Sequence, residues 1–239
     1  MKEAYESLRK NPANHVPLTP LSFLHRTADI YSEREAIIYG ERRYSWRQLR
    51  KRCLCMASSL TELGVGLGDT VAVLAFNTPE LFEAHFSVPM TGAVLNTINT
   101  RLDAETVAYI LKFGQVKALI VDRELLPLAQ KALQDEQIKL KIILIDDDSA
   151  EVKPSVELEV LEYEELINSG DPQFTCPPLQ DEWQALSLNY TSGTTGRPKG
   201  VVYHHRGSYL MSMGTVTAWE LPHYPRYLYC VPMFHCNGW

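Results

Sequence analysis

The chain has 239 residues, 45% of them hydrophobic and 22% charged, which is enough apolar material for a globular core and excludes fibrous and disordered compositions. The formal net charge is −6 and the basic residues are scattered, which argues against a nucleic-acid partner. The chain has no signal-peptide pattern and no apolar run long enough for a transmembrane helix, and its five cysteines lack framework spacing, so we expect an intracellular protein.

The first part of the chain predicts a helix, a hairpin and a second helix. One helix is predicted to begin at Thr19, and residues 37–44 have the pattern of a strand, a turn and a strand. Ser45 and Gln48 then show the spacing of a capping box, and apolar residues repeat at helical intervals as far as Gly64. Glycine easily adopts the left-handed conformation that ends a helix, so Gly64 is the expected stop.

From Val71 onward, short apolar runs alternate with amphipathic helices. Runs as apolar as these are expected of strands that are covered on both faces. The pattern therefore predicts an α/β fold in which helices flank a parallel sheet. The predicted strands are 71–76, 93–98, 118–121 and 142–145, and the predicted helices are one opened by Asn77 and Pro79, one at 104–113 and one at 125–134.

An acidic and then proline-containing stretch, at about residues 146–182, predicts a surface linker. It would end a first α/β subdomain, residues 1–182, and lead into the start of a second one, residues 183–239. In this second part the predicted elements are strands at 185–190 and 200–203, a helix over most of 205–219, and a last strand at 227–231.

The loop between the strands at 185–190 and 200–203 is rich in glycine and hydroxyl side chains, and it reads Thr191-Ser192-Gly193-Thr194-Thr195-Gly196-Arg197-Pro198-Lys199-Gly200. Glycines let backbone N–H groups approach an anion, hydroxyls add donors that can also face a magnesium ion, and a lysine places a charge on phosphate oxygens. A flexible linker is the alternative, but it would not need Pro-Lys-Gly directly before a strand. A Walker loop is excluded because Pro198 stands where its second glycine belongs. We predict a loop that holds the phosphates of ATP.

Three other patterns receive a structural interpretation. The glycine-rich run Gly64–Gly68 follows a helix and precedes a strand, unlike a dinucleotide fingerprint, so we interpret it as a turn. Cys53 and Cys55 have no partners at metal-site spacing. His204 and His205 are adjacent, and neighbours on a strand point to opposite faces, so we do not expect them to bind one ion.

Several motifs together resemble one family. YTSGTTGRPKGV, at 190–201, resembles the phosphate-loop signature of the adenylate-forming superfamily, and VPMFHCNGW, at 231–239, resembles the acyl-pocket motif of its fatty and aromatic acyl-CoA ligases. Matches also occur upstream in the family's order, at 44–49, 68–74 and 92–102. By this resemblance the chain is identified as a member of the acyl-CoA synthetase branch, and as an incomplete, N-terminal part of its large domain.

The resemblance implies a reaction in two steps. The carboxylate of a short- or medium-chain fatty acid or an aromatic acid attacks the α-phosphorus of ATP with Mg²⁺ present, and coenzyme A then displaces AMP. It implies catalytic roles for Lys199 and His235, and a magnesium-facing role for Thr194. Without the resemblance, His235 between Phe234 and Cys236 would be interpreted as a half-buried core residue. The implied phosphate-binding residues are Thr191, Ser192, Gly193, Thr194, Thr195, Gly196 and Lys199.

The resemblance also concerns residues beyond Trp239, where this chain ends. We expect the family's magnesium-binding glutamate, ribose-binding aspartate and C-terminal domain to follow, and the complete protein to be the enzyme. The alternative is a truncated, non-catalytic product that at most binds ATP or a partner chain. We expect a cytoplasmic or peroxisomal location, and none of the motifs predicts an oligomeric state.

Overall fold

The computed structural model of the chain describes residues 7–134, 138–155, 158–191 and 197–235. Helices and strands alternate along most of this length. In chain order they are α1 Leu21–Ile30, β1 Glu35–Tyr39, β2 Arg42–Ser45, α2 Trp46–Glu62, β3 Thr70–Leu74, α3 Pro79–Met90, β4 Val94–Thr97, α4 Ala104–Phe113, β5 Val116–Asp122, a 3₁₀ turn Arg123–Leu125, α5 Leu126–Ala132, β6 Lys141–Ile145, β7 Leu161–Glu162, α6 Tyr163–Ser169, β8 Ala185–Thr191, β9 Lys199–His204 and α7 His205–Ala218.

The centre of the fold is a sheet whose strand order, in the described part of the chain, is β7-β6-β5-β3-β4-β8-β9. The neighbouring pairs from β7 to β8 are parallel, whereas β9 runs antiparallel to β8. The predicted α/β class with a parallel sheet is confirmed. The antiparallel edge pair adds a feature that the apolar pattern did not predict.

Side chains of β3 alternate between the two faces of the sheet and join different apolar clusters. Val71 and Val73 pack with residues of α2, α3 and α6, whereas Ala72 and Leu74 pack with residues of α4 and α5. Successive residues of a strand point to opposite sides, so a strand that is apolar throughout requires cover on both. The continuous burial of Thr70–Leu74 therefore confirms the prediction of a covered sheet.

The helix after the β1–β2 hairpin begins with the predicted capping box. The hydroxyl of Ser45 accepts from the backbone N–H of Gln48 at 3.3 Å, and the side-chain oxygen of Gln48 accepts from the N–H of Ser45 at 2.8 Å. Gly64 follows the helix with a φ of +86°, a conformation that glycine adopts without a steric penalty. Both predicted ends of this helix are confirmed to within two residues.

Two of the predicted elements are wrong in detail. Helix α3 is capped by Thr78, whose hydroxyl accepts from the N–H of Leu81, and not by Asn77. The segment 227–231 is not a strand, because it pairs with no strand among the residues that the structure describes. Its side chains include the exposed Leu228.

The acidic stretch predicted to cross the surface contains ordered, partly buried structure. Leu161–Glu162 forms the short edge strand β7, and the following helix α6 buries Tyr163 and Ile167 against the rest of the fold. The subdomain boundary near residue 182 stays a prediction. No helix in the described ranges is both long and apolar enough to cross a membrane.

Candidate functional site

The predicted phosphate loop is bounded by the antiparallel strands β8 and β9. Thr191 ends β8, Lys199 begins β9, and the two residues are direct cross-strand partners. Side chains of directly paired residues lie on the same face of a sheet. The structure thus brings Thr191 and Lys199 together at the base of the loop. Both residues are exposed.

The middle of the loop lies outside the described residues. The predicted phosphate-binding residues there are Ser192, Gly193, Thr194, Thr195 and Gly196, and Thr194 is also the predicted magnesium-facing residue. Their roles stay predictions.

Arg197, next along the loop, is held near the body of the fold. Its guanidinium carbon lies 5.3 Å from the ring centroid of Tyr109 on α4. A cation placed over an aromatic face is attracted by the ring's negative face. This contact connects the end of the loop that leads into β9 with α4, the helix that follows β4.

His235, the second predicted catalytic residue, lies beyond α7 in an exposed position. Its backbone N–H donates to the carbonyl of Pro232 at 3.0 Å. The carbonyl of Phe234, the preceding residue, accepts at 2.9 Å from the hydroxyl of Thr97. Thr97 is the last residue of β4, the neighbour of β8 in the sheet. His235 therefore sits near the end of β4, whose neighbour β8 leads into the predicted phosphate loop.

A pocket of about 360 Å³ connects the two motifs. Thr191 and Pro198 line it from the phosphate loop, and His235 lines it from the acyl-pocket motif, whereas Lys199 is not a lining residue. Much of the remaining wall is apolar, from Ile98, Leu102, Ile110 and Val201. Pockets that bind small molecules commonly combine an apolar wall with a few convergent polar groups.

Several polar groups that line this pocket come from the carboxyl ends of β4 and β8. Asn189 and Thr97 are buried, and the Thr97 hydroxyl lies 3.5 Å from the side-chain oxygen of Asn189. Burial, with a smaller contribution from Tyr109, raises the pKa of Tyr190 to about 12, so its hydroxyl stays neutral near pH 7. Ligands of open α/β sheets bind outside the carboxyl ends of the strands, which is where this pocket lies.

A wider depression of about 630 Å³ lies elsewhere, between α1, α2 and residues 172–176. It is lined by basic side chains that include Arg47 and Arg50, but by none of the predicted site residues. Both arginines already form ion pairs, with Glu33 and Asp29 respectively. The smaller pocket, which joins the two motifs, is therefore the candidate site.

The patterns interpreted as structural have structural contacts. The Nδ1 atom of His204 accepts from the N–H of Gly207 at 2.8 Å and caps α7. His205 is the first residue of α7, not a strand residue, and its Nδ1 lies 2.9 Å from the hydroxyl of Thr19. Burial raises the pKa of the Cys53 thiol well above its usual value, which disfavours the thiolate that binds metals. Among the described residues, no group of three or more His, Cys, Asp and Glu could hold a metal ion.

Sequence reasoning missed the residues that hold the segment around His235. Asn77 was predicted to open a helix, but its amide group bonds to the backbone of residues 229–233. Thr97 was recognised as part of a family motif but given no role. Their position in the sequence could have identified both residues, because polar side chains at the carboxyl ends of parallel strands lie where ligands and loops meet the sheet.

Comparison with known families gives one match over most of the chain. The AMP-binding enzyme family matches residues 24–239. An acetate–CoA ligase of Humulus lupulus is 46% identical over 98% of this chain and 43% of its own length. A peroxisomal trans-cinnamate:CoA ligase of Petunia hybrida is 45% identical over 98% of this chain and 43% of its own length, and a peroxisomal benzoate–CoA ligase of Arabidopsis thaliana is 46% identical over 95% and 40%. The chain spans less than half the length of these curated relatives.

Solved structures with the same fold are also known. A long-chain-fatty-acid–CoA ligase from Archaeoglobus fulgidus superposes with a TM-score of 0.79 at 22% identity, covering 96% of this chain and 46% of that one. An o-succinylbenzoate–CoA synthetase from Bacillus subtilis, solved with its acyl-adenylate intermediate, superposes with a TM-score of 0.72 at 24% identity, covering 92% of this chain and 51% of that one. Each similarity shows the fold.

Proposed function

Because the chain belongs to the AMP-binding enzyme family, we propose that it is the N-terminal portion of an ATP-dependent acyl-CoA ligase. The observation that carries the proposal is the pocket that Thr191 and His235 share beside the cross-strand pair of Thr191 and Lys199. Phosphate-binding and carboxylate-binding groups must lie side by side for an acid to be joined to AMP. The shared pocket supports the proposal because it is lined by residues of both motifs.

In the proposed first step, the carboxylate attacks the α-phosphorus of ATP and pyrophosphate leaves. Negative charge grows on the departing pyrophosphate, and donors fixed in advance towards that charge lower the barrier. The donors we propose are those of Thr191, Ser192, Gly193, Thr194, Thr195 and Gly196, together with the ammonium group of Lys199. Magnesium, when bound with ATP, neutralises part of the phosphate charge, and we propose that the hydroxyl of Thr194 faces it.

His235 has a different proposed role. Its imidazole would orient the carboxylate at the junction of the pocket and the phosphate loop, since it lines the same pocket as Thr191. In the second step, the thiol of coenzyme A attacks the acyl carbonyl of the adenylate and AMP leaves, which forms the thioester. Residues 1–182 would form the first subdomain of the enzyme and residues 183–239 the beginning of the second.

The proposed substrate is a short- or medium-chain fatty acid or an aromatic acid. The apolar wall of the pocket supports an acid with a hydrocarbon or ring body. The names of the relatives, which include acetate, trans-cinnamate and benzoate, support the same range. A cytoplasmic or peroxisomal location is proposed, and the peroxisomal names of two of these relatives support the latter.

The test is carboxylate-dependent exchange of labelled pyrophosphate into ATP by the full-length protein. Lys199→Ala should lower the exchange rate by roughly 100-fold or more, which is the effect of removing one donor that stabilises developing charge. Lys131→Ala is the matched control, because Lys131 is an exposed lysine near the end of α5, and it should exchange at the wild-type rate. Full-length wild-type protein that binds ATP without exchange would refute the proposed function, and undiminished exchange by Lys199→Ala would refute the role of that lysine.

A further inference from the structure

The segment that carries His235 is an irregular stretch attached to the sheet by a few side-chain bonds. We call residues 225–235 the His235 segment; within it, residues 225–232 form neither helix nor strand. Backbone N–H and C=O groups outside regular structure need other partners. In this segment, important partners are the side chains of two residues far away in sequence, Asn77 and Thr97.

Asn77 makes three bonds to the backbone of the His235 segment. Its Nδ2 donates to the carbonyl of Val231 at 2.9 Å and to that of Tyr229 at 3.4 Å, and its Oδ1 accepts from the N–H of Met233 at 2.7 Å. An amide side chain offers both donors and an acceptor on one rigid plane. Asn77 therefore pairs with backbone donors and acceptors over residues 229–233 of the segment, as a neighbouring β-strand would.

Thr97 holds the same segment one residue before the histidine. Its hydroxyl donates to the carbonyl of Phe234 at 2.9 Å. Between the two anchors lies Met233, which is only 6% exposed and packs in the apolar cluster that contains Val71 and Val73. The backbone just before His235 is thus fixed by hydrogen bonds on both sides of a buried side chain.

Both anchors belong to the rigid part of the fold. Thr97 is the last residue of β4, and Asn77 lies in the short turn between β3 and α3. Strands β3 and β4 are parallel neighbours, so the two side chains are presented from adjacent carboxyl ends. Functional groups placed by well-packed elements are held more accurately than groups on free loops.

We propose that Asn77 is a positioning residue for His235, with Thr97 as the second anchor. Asn77 does not line the pocket, so its effect on a reaction there would pass through the His235 segment. The inference rests on the proposed function, because it assumes that the place of the imidazole matters for adenylate formation. A displacement of about 1 Å in a catalytic group can lower a rate on the order of 100-fold.

The test measures pyrophosphate exchange by the full-length protein in a double-mutant cycle. Asn77→Leu keeps the size of the side chain and removes its donors and its acceptor. It should lower kcat on the order of 10- to 100-fold, while the KM for ATP stays within about threefold of the wild-type value, as expected when ground-state ATP binding is retained. In the His235→Ala background, the same substitution should lower kcat by no more than about twofold, because two residues that act through one another are not additive.

A second pair of variants keeps the inference testable if Asn77→Leu folds poorly. Thr97→Val removes the hydroxyl at nearly constant shape and should lower kcat, but by no more than about twofold in the His235→Ala background. Thr97→Ser retains the hydroxyl and should keep kcat near the wild-type value. Arg226→Ala is the control within the segment, since the ion pair of Arg226 with Glu35, at 3.4 Å, is exposed, and this variant should behave as the wild type. Equal losses from Asn77→Leu with and without His235, or wild-type kcat in Asn77→Leu and Thr97→Val, would overturn the inference while leaving the proposed function intact. A wild-type protein without exchange would remove both.

Discussion

The guanidinium of Arg52, on α2, is paired with the fully buried carboxylate of Glu83, on α3, with Nε 2.5 Å from Oε1. The hydroxyl of Tyr163, on α6, donates to the other carboxylate oxygen at 2.9 Å. Burial raises the pKa of Glu83, and both Arg52 and Tyr163 oppose that rise. Three helices on one face of the sheet are therefore joined around a single buried acid.

Removing the arginine should destabilise this face. Arg52→Met keeps most of the length of the side chain but leaves the Glu83 carboxyl buried without its cation, which typically costs about 3 to 5 kcal/mol. Arg47→Met is the control, because Arg47 and its partner Glu33 are 64% and 74% exposed and such pairs contribute about 1 kcal/mol or less. Urea unfolding of the full-length protein measures both. Similar midpoints for the two variants would contradict a structural role for the buried pair.

Gly170, which follows α6, should resist any side chain for lack of space. A Cβ atom at this position would lie 2.1 Å from the backbone oxygen of Cys55 on α2. Backbone atoms cannot move aside without separating the two helices, so Gly170→Ala should destabilise the protein by about 1 to 3 kcal/mol. The reason is space and not conformation, since the φ of Gly170 is −70°.

Gly214, inside α7, provides the opposite case for the same substitution. No atom lies within 4 Å of a Cβ placed there, and alanine is favoured over glycine within a helix by up to about 1 kcal/mol. Gly214→Ala should therefore raise the thermal midpoint while Gly170→Ala lowers it. A shift of equal sign in the two variants would contradict the packing argument.

Local patterns predicted most of the fold but not the contacts that hold the site. Helix α4 was predicted with its observed bounds, Ala104–Phe113, because its amphipathic repeat and its cap, Asp103, are both local. The segment 227–231 was predicted to be a strand from its apolar residues, but strand formation depends on a neighbour that local sequence does not reveal. Asn77 illustrates the same limit, since its partners are more than 150 positions away.

The candidate site also has one part that local sequence predicts and another that depends on the whole sheet. The two ends of the phosphate loop, Thr191 and Lys199, were located by the strand patterns on either side, and their pairing follows from the short connection between those strands. Thr97 reaches the pocket only because β4 lies next to β8. In that order β5 pairs with the side of β3 that faces away from β4, and such an order is a property of the whole sheet that local sequence does not reveal.

His205 should make stability depend on pH in the acidic range. Its ring is buried, and burial, assisted by the nearby His204, lowers its pKa from 6.5 to about 4. Between these two pH values the unfolded chain binds a proton at this histidine that the folded chain does not, so the contribution of His205 to stability falls as the pH falls from about 6.5 to about 4. The raised pKa of Glu83 acts in the opposite sense. The loss should approach about 3 kcal/mol when the window has been crossed.

The matched variants isolate this histidine. His205→Gln cannot titrate at this position and should remove this contribution, so its unfolding free energy relative to that of the wild type should be higher at pH 4.5 than at pH 7. His223→Gln, which changes an exposed histidine, should leave the slope as in the wild type. Denaturant unfolding at pH 4.5, 5.5 and 7 compares the three proteins, and an unchanged slope in His205→Gln would assign the acid sensitivity to other groups.

The isolated 239-residue chain should associate through the outer surface of β9 and α7. Val202 on β9 is 60% exposed, and Met211 and Val216 on α7 are 59% and 48% exposed. β9 is also an edge of the sheet, and an exposed edge with apolar side chains is a template for pairing with another chain. Exposed apolar side chains grouped on adjoining elements mark a surface that another chain covers.

Lysine side chains placed on this surface should reduce the association of the isolated chain. Val202→Lys puts an ammonium group on the edge strand, where lysine opposes edge-to-edge pairing. Met211→Lys puts a second charge on the exposed apolar face of α7. Light scattering and gel filtration should show a smaller apparent mass for the double variant than for the unmodified chain, with no pyrophosphate exchange by either. Lys131→Glu, on α5, changes charge away from β9 and α7 and should leave association unchanged. An unmodified chain that stays monomeric at high concentration would contradict the surface argument, and exchange by that monomer would show that the 239 residues suffice for adenylate formation.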